Sequence, residues 1–417
     1  MVFGSSSVAP EQWAARQLEL DRERTERFPR LFERKVARMS LSPFAFLRGA
    51  APLFYEILAD SAELRDGPPG EGWLVGDLHL ENFGAFRPER SSDAPAEKRP
   101  VTFDLNDFDE AVSGPWRWDV LRLLASLILA GRELGSSGPV VLELSKELLE
   151  SYVSSAFRGA PVPPQPAPVA ALVERVRSRP RQQLLDARTE AKGAHRAFVR
   201  GERYAELSPE IVAQLPHAIQ RYAERLPPDG RPHAEQLEIL DAALRVAGTG
   251  SLGVLRVALL TRGKGGLDGG WLFEMKEQPV PSAARLVAPA DAAPAETAVE
   301  AFRACVAAPP RMLGTTHVGE SGMVVRRLSP QEDKLALREL DAKSLPPLVR
   351  YLGALAGSAH ARGSSSQVPA PWSERDCADM VHRAAKVAWL HEAIYLEWCL
   401  RLHGEPPSAA PDVLQGP

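Results

Sequence analysis

Between residues 73 and 111 two short apolar runs each stop abruptly at oxygen-bearing side chains. Trp73-Leu74-Val75 opens WLVGDLHLENFGAF, which carries Asp77, His79 and Asn82. Val101-Thr102-Phe103 opens VTFDLNDFDEA, which carries Asp104, Asp107 and Asp109. Runs this short, bounded by Gly, Asn and Asp, read as strand ends rather than helices. Carboxylate and amide oxygens at two strand ends suit Mg²⁺, which takes one or two carboxylates and completes its shell with water and substrate phosphate. An isolated Asp or Asn in such a place is an ordinary turn residue, because its side chain bonds nearby backbone. The ordered set points to a site.

The spacing narrows the chemistry. Asp77 and Asn82 stand five residues apart, with a further Asp on a later strand. This resembles the protein-kinase catalytic loop, in which an Asp takes the substrate hydroxyl proton, an Asn five residues on binds metal, and a second Asp holds metal from another strand. GDLHLEN, with His79 two residues after Asp77, is similar to the loop of aminoglycoside and choline phosphotransferases. Gly114-Pro115-Trp116-Arg117-Trp118-Asp119 resembles the Gly-Pro-x-x-x-Asp segment of those enzymes. That likeness implies that Asp119 braces the loop. Two registers of FDLNDFD are open for the metal carboxylate, Asp104 first and Asp107 in reserve.

Farther along, Gly248-Thr249-Gly250-Ser251-Leu252-Gly253 is a GxGxxG. A dinucleotide fold needs a helix after it, whereas Val254 to Leu260 reads as a strand. Strand, glycine loop, strand is the kinase arrangement, with Gly248, Gly250, Ser251 and Gly253 over the nucleotide phosphates. The next predicted strand, Trp271 to Glu277, carries Lys276 as the phosphate-binding cation. Glu296 and Glu300, on a predicted helix over 296–307, are candidates to pair it. Arg48, among apolar residues after the Ser42-Pro43 helix start, is either a further anchor for a carboxylate or phosphate or a structural brace. Met323 to Leu328 reads as a strand and Leu345 to Arg362 as a helix. In ordinary kinases the glycine loop precedes the catalytic loop; here it follows. The expectation is a circularly permuted chain, its usual junction lying between Gly363 and Gly76.

SPFAFLRGA, GDLHLENFG, FDLNDFDEA with GPWRWD, GTGSLG, MKE and AHAR, in this order over about residues 38–400, resemble the bacterial domain-of-unknown-function family DUF2252. The resemblance implies a kinase-like relationship and carries no assigned activity.

The rest of the chain sets bounds. With 417 residues, it can hold two domains or one two-lobed enzyme. A net charge of −4 gives no general pull toward nucleic acid or anionic membrane. Three cysteines without CxxC spacing argue against disulfides and zinc and fit a reducing cytosol. The first thirty residues lack a basic stretch followed by an apolar core, so no signal peptide is expected. A cytoplasmic protein follows. Residues 11–39 and the Arg175–Arg181 run read as solvated helix faces. Helices are expected over Asp119–Leu134, Leu142–Ala156 and throughout 169–226.

The expected fold is α+β: a kinase-like, two-lobed, circularly permuted chain with a largely helical catalytic lobe and a small antiparallel β nucleotide lobe. Its parts are residues 1–235, 236–335 and 336–417. The expected activity is transfer of the ATP γ-phosphate to a hydroxyl of a small-molecule acceptor. Asp77 and His79 would act in catalysis, Asn82 with Asp104 or Asp107 would hold Mg²⁺, and Lys276, Arg48 and the glycine loop would bind ATP. AMP transfer on the same fold, a nucleotide-binding scaffold and a metal-dependent hydrolase are the alternatives.

Overall fold

The computed structural model describes residues 8–88, 100–228, 231–289, 291–310, 312–337 and 340–404. The first seven residues of the stretch inspected for a signal peptide lie outside them. The fold is α+β, as expected.

Six strands form one antiparallel sheet, in the spatial order Gly314–Val318, Ser321–Leu328, Trp271–Glu277, Arg256–Thr261, Ile239–Arg245, Tyr204–Ala205. Period-two alternation fills both faces. Val257, Leu259, Phe273, Met275, Met323 and Val325 pack on one side with Tyr222 and Ile219 of the helix Pro209–Arg225. Ala258, Leu260, Leu272 and Leu328 pack on the other with Phe198 and Tyr204. Lys276 and Glu274 share parity with Leu272, so both point to that second face from a central strand.

A larger apolar cluster gathers the helices Arg117–Glu133, Gly138–Arg158, Leu345–Arg362 and Glu374–Gly404. Gly353 and Gly357 let Leu345–Arg362 press on Gly138–Arg158. A β-carbon on either would stand 2.2 Å from the Leu148 carbonyl oxygen or 2.4 Å from that of Tyr152. Two small antiparallel pieces lie beside these helices. Glu71–Leu74 pairs with Val112–Pro115, and Phe83–Phe86 pairs with Thr102–Leu105 and Asp333–Lys334. Each delivers one of the acidic loops.

The helix Leu345–Arg362 ends against the strand Glu71–Leu74. The Trp73 N–H donates to the Gly363 carbonyl at 2.9 Å, and Gly72 bridges Ser364. The Ser-Pro helix start is also seen: Ser42 Oγ accepts the Ala45 N–H at 3.1 Å and Pro43 opens the helix Pro43–Gly49.

The span 169–226 differs from expectation. Helices Ala167–Arg177, Arg181–Asp186 and Pro209–Arg225 are present, but Thr189–Lys192 and His195–Phe198 form a hairpin between them. Gly193, at φ +62°, makes its turn. The hairpin is held from a distance: Asp241 accepts the Phe198 N–H at 2.7 Å and binds Arg200, and Phe198 packs on Tyr204 with ring centroids 4.6 Å apart.

Candidate active site

The loop after Glu71–Leu74 is fixed from several sides. Asp119, fully buried in the helix Arg117–Glu133, accepts the Val75 N–H at 2.7 Å and the Gly76 N–H at 3.0 Å, one on each carboxylate oxygen. Tyr55 Oη donates to the Gly76 carbonyl at 2.7 Å, and Ser126 Oγ accepts the Leu80 N–H at 3.2 Å. Gly76 sits at φ +81° with the Glu110 carbonyl 1.8 Å from where a β-carbon would stand, so no other residue fits. Asp119 is therefore a brace. Behind it His360 Nε2 lies 3.1 Å from Asp119 Oδ2, and Tyr152 Oη lies 2.8 Å from His360 Nδ1.

From this turn Asp77 projects into a cavity of about 90 Å³. Arg122 grips its carboxylate, Nε at 2.7 Å and Nη2 at 2.5 Å from Oδ1. Burial pushes the Asp77 carboxyl up to about 6; Arg122 opposes that rise and Glu110 adds to it. Asn82 Nδ2 donates to the Asp77 carbonyl at 2.6 Å, which leaves Oδ1 as its uncommitted atom. His79 lines the cavity, yet it is a buried neutral ring. Its Nδ1 accepts the Glu81 N–H at 3.1 Å, it packs edge-on against Phe44, and burial beside Arg48 holds its pKa well below the usual range.

Asp107 and Asp109 enter the same cavity from the loop after Thr102–Leu105. Lys276 Nζ bonds the Asp109 carboxylate and stands 3.9 Å from Asp107 Oδ1. Burial pushes Lys276 down to about 8, against the pull of Asp107. Burial would raise Asp107, but Lys276, Lys334, Arg326 and Arg256 together hold it below the ordinary carboxylate range.

The glycine loop joins the strands Ile239–Arg245 and Arg256–Thr261 and closes the cavity from above. Gly248 and Gly253 have φ of +83° and +105°. A β-carbon on Gly250 would lie 3.9 Å from Asp77 Oδ2, so the glycine loop rests almost on Asp77. Arg256 shapes the loop, donating to the Ala247 carbonyl at 2.9 Å and to Ser251 Oγ at 3.1 Å.

Of the residues expected at the site, Asp77, His79, Asn82, Asp107, Gly248, Gly250, Ser251, Lys276 and Arg48 line this one cavity. Arg48 pairs with Glu81 at 2.6 Å and keeps a buried Nε without a partner. Asp104 is a correction. It lies within the strand, opposite Gly84, and its carboxylate turns away from the cavity to the Leu105 N–H at 2.9 Å, the Ala307 N–H at 3.3 Å and Arg362 at 3.6 Å. Asp107, past the strand end, reaches the cavity instead. Gly253 lines the adjoining cleft, not this cavity. The helix Pro294–Cys305 forms, but its Glu296 pairs with Arg225 at 3.5 Å and Glu300 is exposed; Asp109 and Asp107 neighbour Lys276. Asp109, part of the acidic run but given no role, also lines the cavity, as do Arg24, Glu110 and Lys334, and Arg122 supports it from below. Arg122 carried a signal, a lone charge in the apolar run of its helix.

Among the described residues, no group of three or more His, Cys, Asp or Glu is arranged to hold a metal alone. An amide oxygen from Asn82 with carboxylates from Asp107 and Asp109 is a donor set that suits Mg²⁺ completed by phosphate oxygens.

A small antiparallel sheet carrying a glycine loop and a lysine, set over an acidic loop braced by a helix, defines the class of site. The sequence model of the family described as "uncharacterized protein conserved in bacteria (DUF2252)" matches residues 27–391, and the chain belongs to that family. No curated protein and no solved structure matches the chain. No described helix is long and apolar enough to cross a membrane.

Proposed function

We propose that this chain is an ATP- and Mg²⁺-dependent phosphotransferase, a two-lobed kinase-like fold in permuted order, acting on a hydroxyl of a small molecule. The observation that carries the reading is convergence. Asp77, Asn82, Asp107 and Lys276 meet beneath Gly250, although about 170 to 200 residues separate the acidic loops from the lysine. The abutment of Gly363 on Trp73 supports the permutation, since a direct link there would restore the ordinary order; chains tolerate such rearrangement where the joined ends lie close.

In this reading Asp77 accepts the proton of the acceptor hydroxyl, whose oxygen bonds to the γ-phosphorus as the bond to the departing ADP oxygen breaks. Arg122 fixes the carboxylate that performs this step, and Asn82 fixes the loop that carries it. Lys276 and Arg48 supply positive charge to phosphate oxygens, and the loop around Gly250 excludes water. Asn82 Oδ1, Asp107 and Asp109 would hold Mg²⁺, which neutralises phosphate charge when bound. Catalysis of this kind is mainly positioning and electrostatic stabilisation.

The test is incubation of the purified chain with ATP, Mg²⁺ and panels of hydroxyl-bearing small molecules, with nucleotide products resolved by chromatography. Acceptor-dependent ADP supports the proposal. AMP with pyrophosphate instead would move the chemistry to AMP transfer, and acceptor-independent phosphate release to a hydrolase.

A further inference from the structure

The cavity around Asp77 encloses about 90 Å³, which accommodates phosphate groups but not a nucleotide, since sites for ligands of that size run to roughly 300–1,000 Å³. The nucleoside must therefore lie in a space that opens from it. Along the strand of Lys276, toward Leu272, the described residues fill the face. Glu274, two residues earlier on the same face, is buried and gripped by Arg245, by Arg256 at 2.6 Å and by Arg326 at 3.2 Å. Beyond it the face is covered by Leu185, Phe198 and Tyr204. An aromatic base entering there would have to break a buried ion cluster whose carboxylate the three arginines hold well below its ordinary range.

In the other direction the space widens. A cleft of about 610 Å³ lies between the helix Pro10–Thr25 and the segment 279–285. It shares Arg24, Pro52, Val254, Glu277 and Pro279 with the cavity around Asp77, so the two adjoin. Leu20, Pro52, Val254, Pro279 and Ala284 give it apolar walls, and Glu23, Glu26 and Glu277 line it together with Arg24, Arg27 and Arg285. Apolar walls with a few polar groups and arginine are what a base and ribose require.

We infer that this cleft holds the nucleoside of the donor, so that the nucleotide runs out past Gly253 toward the N-terminal helix and not along the sheet face of Glu274. The inference rests on the phosphotransferase reading, because it takes the 90 Å³ cavity as the phosphate site.

The experiment compares ATP with inorganic triphosphate, each with Mg²⁺, by isothermal titration calorimetry. Leu20→Trp and Ala284→Trp fill the cleft from opposite walls, and neither side chain lines the catalytic cavity. The expected result is at least tenfold weaker ATP binding in both variants, with triphosphate binding unchanged and melting curves showing a folded chain. ATP affinity equal to the parent's in both variants would overturn the assignment and leave the cleft to an acceptor. A parent that binds neither ATP nor triphosphate would instead remove the phosphotransferase reading on which it stands.

Discussion

Arg122 holds Asp77 by two nitrogens of one guanidinium, at 2.7 and 2.5 Å, while its Nη2 also donates to the Leu47 carbonyl at 2.7 Å and its Cζ lies over the Phe54 ring, 4.9 Å from the centroid. The arginine is wholly buried and the carboxylate faces the cavity. Arg122→Met leaves the carboxylate without its ion partner and the Leu47 carbonyl without its donor. Breaking such a pair costs about 3–5 kcal/mol, so the urea midpoint should fall strongly. Arg122→Lys should recover only part, because an ammonium is a point charge that cannot reproduce the fork.

If the chain is the proposed phosphotransferase, two groups should set its pH dependence. A base must be unprotonated, so activity should rise through about 6, where burial places Asp77. A phosphate-binding lysine must be protonated, so activity should fall above about 8, where burial places Lys276. The kcat/KM profile, which reports the free enzyme, should be a bell between these values. Because Arg122 lowers the Asp77 value, Arg122→Met should move the acid limb to higher pH, and a limb that stayed put would separate Asp77 from the rate.

Asp119 accepts two backbone N–H groups with its two oxygens. Asn at this position keeps one acceptor and turns a donor toward the other N–H. Hydrogen bonds to a buried charge are worth about 1.5–3 kcal/mol each, so Asp119→Asn should cost about 3 kcal/mol in urea unfolding. Hydrogen exchange at the Val75 and Gly76 amides should accelerate with it. A variant as stable as the parent would show that the brace is dispensable.

Gly253 and Gly135 separate backbone strain from steric contact. Both have positive φ, +105° and +79°, but a β-carbon on Gly253 would stand 2.0 Å from the Arg24 carbonyl oxygen, whereas one on Gly135 meets nothing within 4 Å. A left-handed backbone costs an L-residue about 1–2 kcal/mol, so Gly135→Ala should lose about that much. Gly253→Ala should lose more, because the N-terminal helix must also shift from the glycine loop. Equal midpoints would mean that this helix is not seated there in solution.

Much of the site was legible because its signals are local. The five-residue spacing from Asp77 to Asn82, Gly248 and Gly250 of the glycine loop and the alternation that presents Lys276 meet at one cavity, while Gly253 lies in the adjoining cleft. What escaped was decided by distance and register. Asp104 and Asp107 differ only in whether the strand has ended, and pairing with Phe83–Phe86 carries it past Asp104. The hairpin at 189–198 has little apolar pattern of its own and depends on Asp241 and Tyr204 from elsewhere. Arg24 and Arg38 looked like solvated charges, yet Arg24 lines the cavity and Arg38 donates to the Gly248 carbonyl. Nothing in a charged amphipathic helix announces that a loop 200 residues away will settle on it. Arg122 is a lone charge in an apolar run, a signal that went unread, and its partner required the fold.

The most direct measurement is a thermal-shift titration with ATP, with and without Mg²⁺, on the parent and on Asp107→Ala, Asp104→Ala and Lys276→Ala. A ligand that binds only the folded chain at a hundredfold excess over its Kd adds about 2.7 kcal/mol of stability. The account predicts a Mg²⁺-dependent rise in the parent, kept in Asp104→Ala if that chain folds, and lost in Asp107→Ala and Lys276→Ala. A parent unmoved by millimolar ATP, or an Asp107→Ala variant that responds as the parent does, would contradict it.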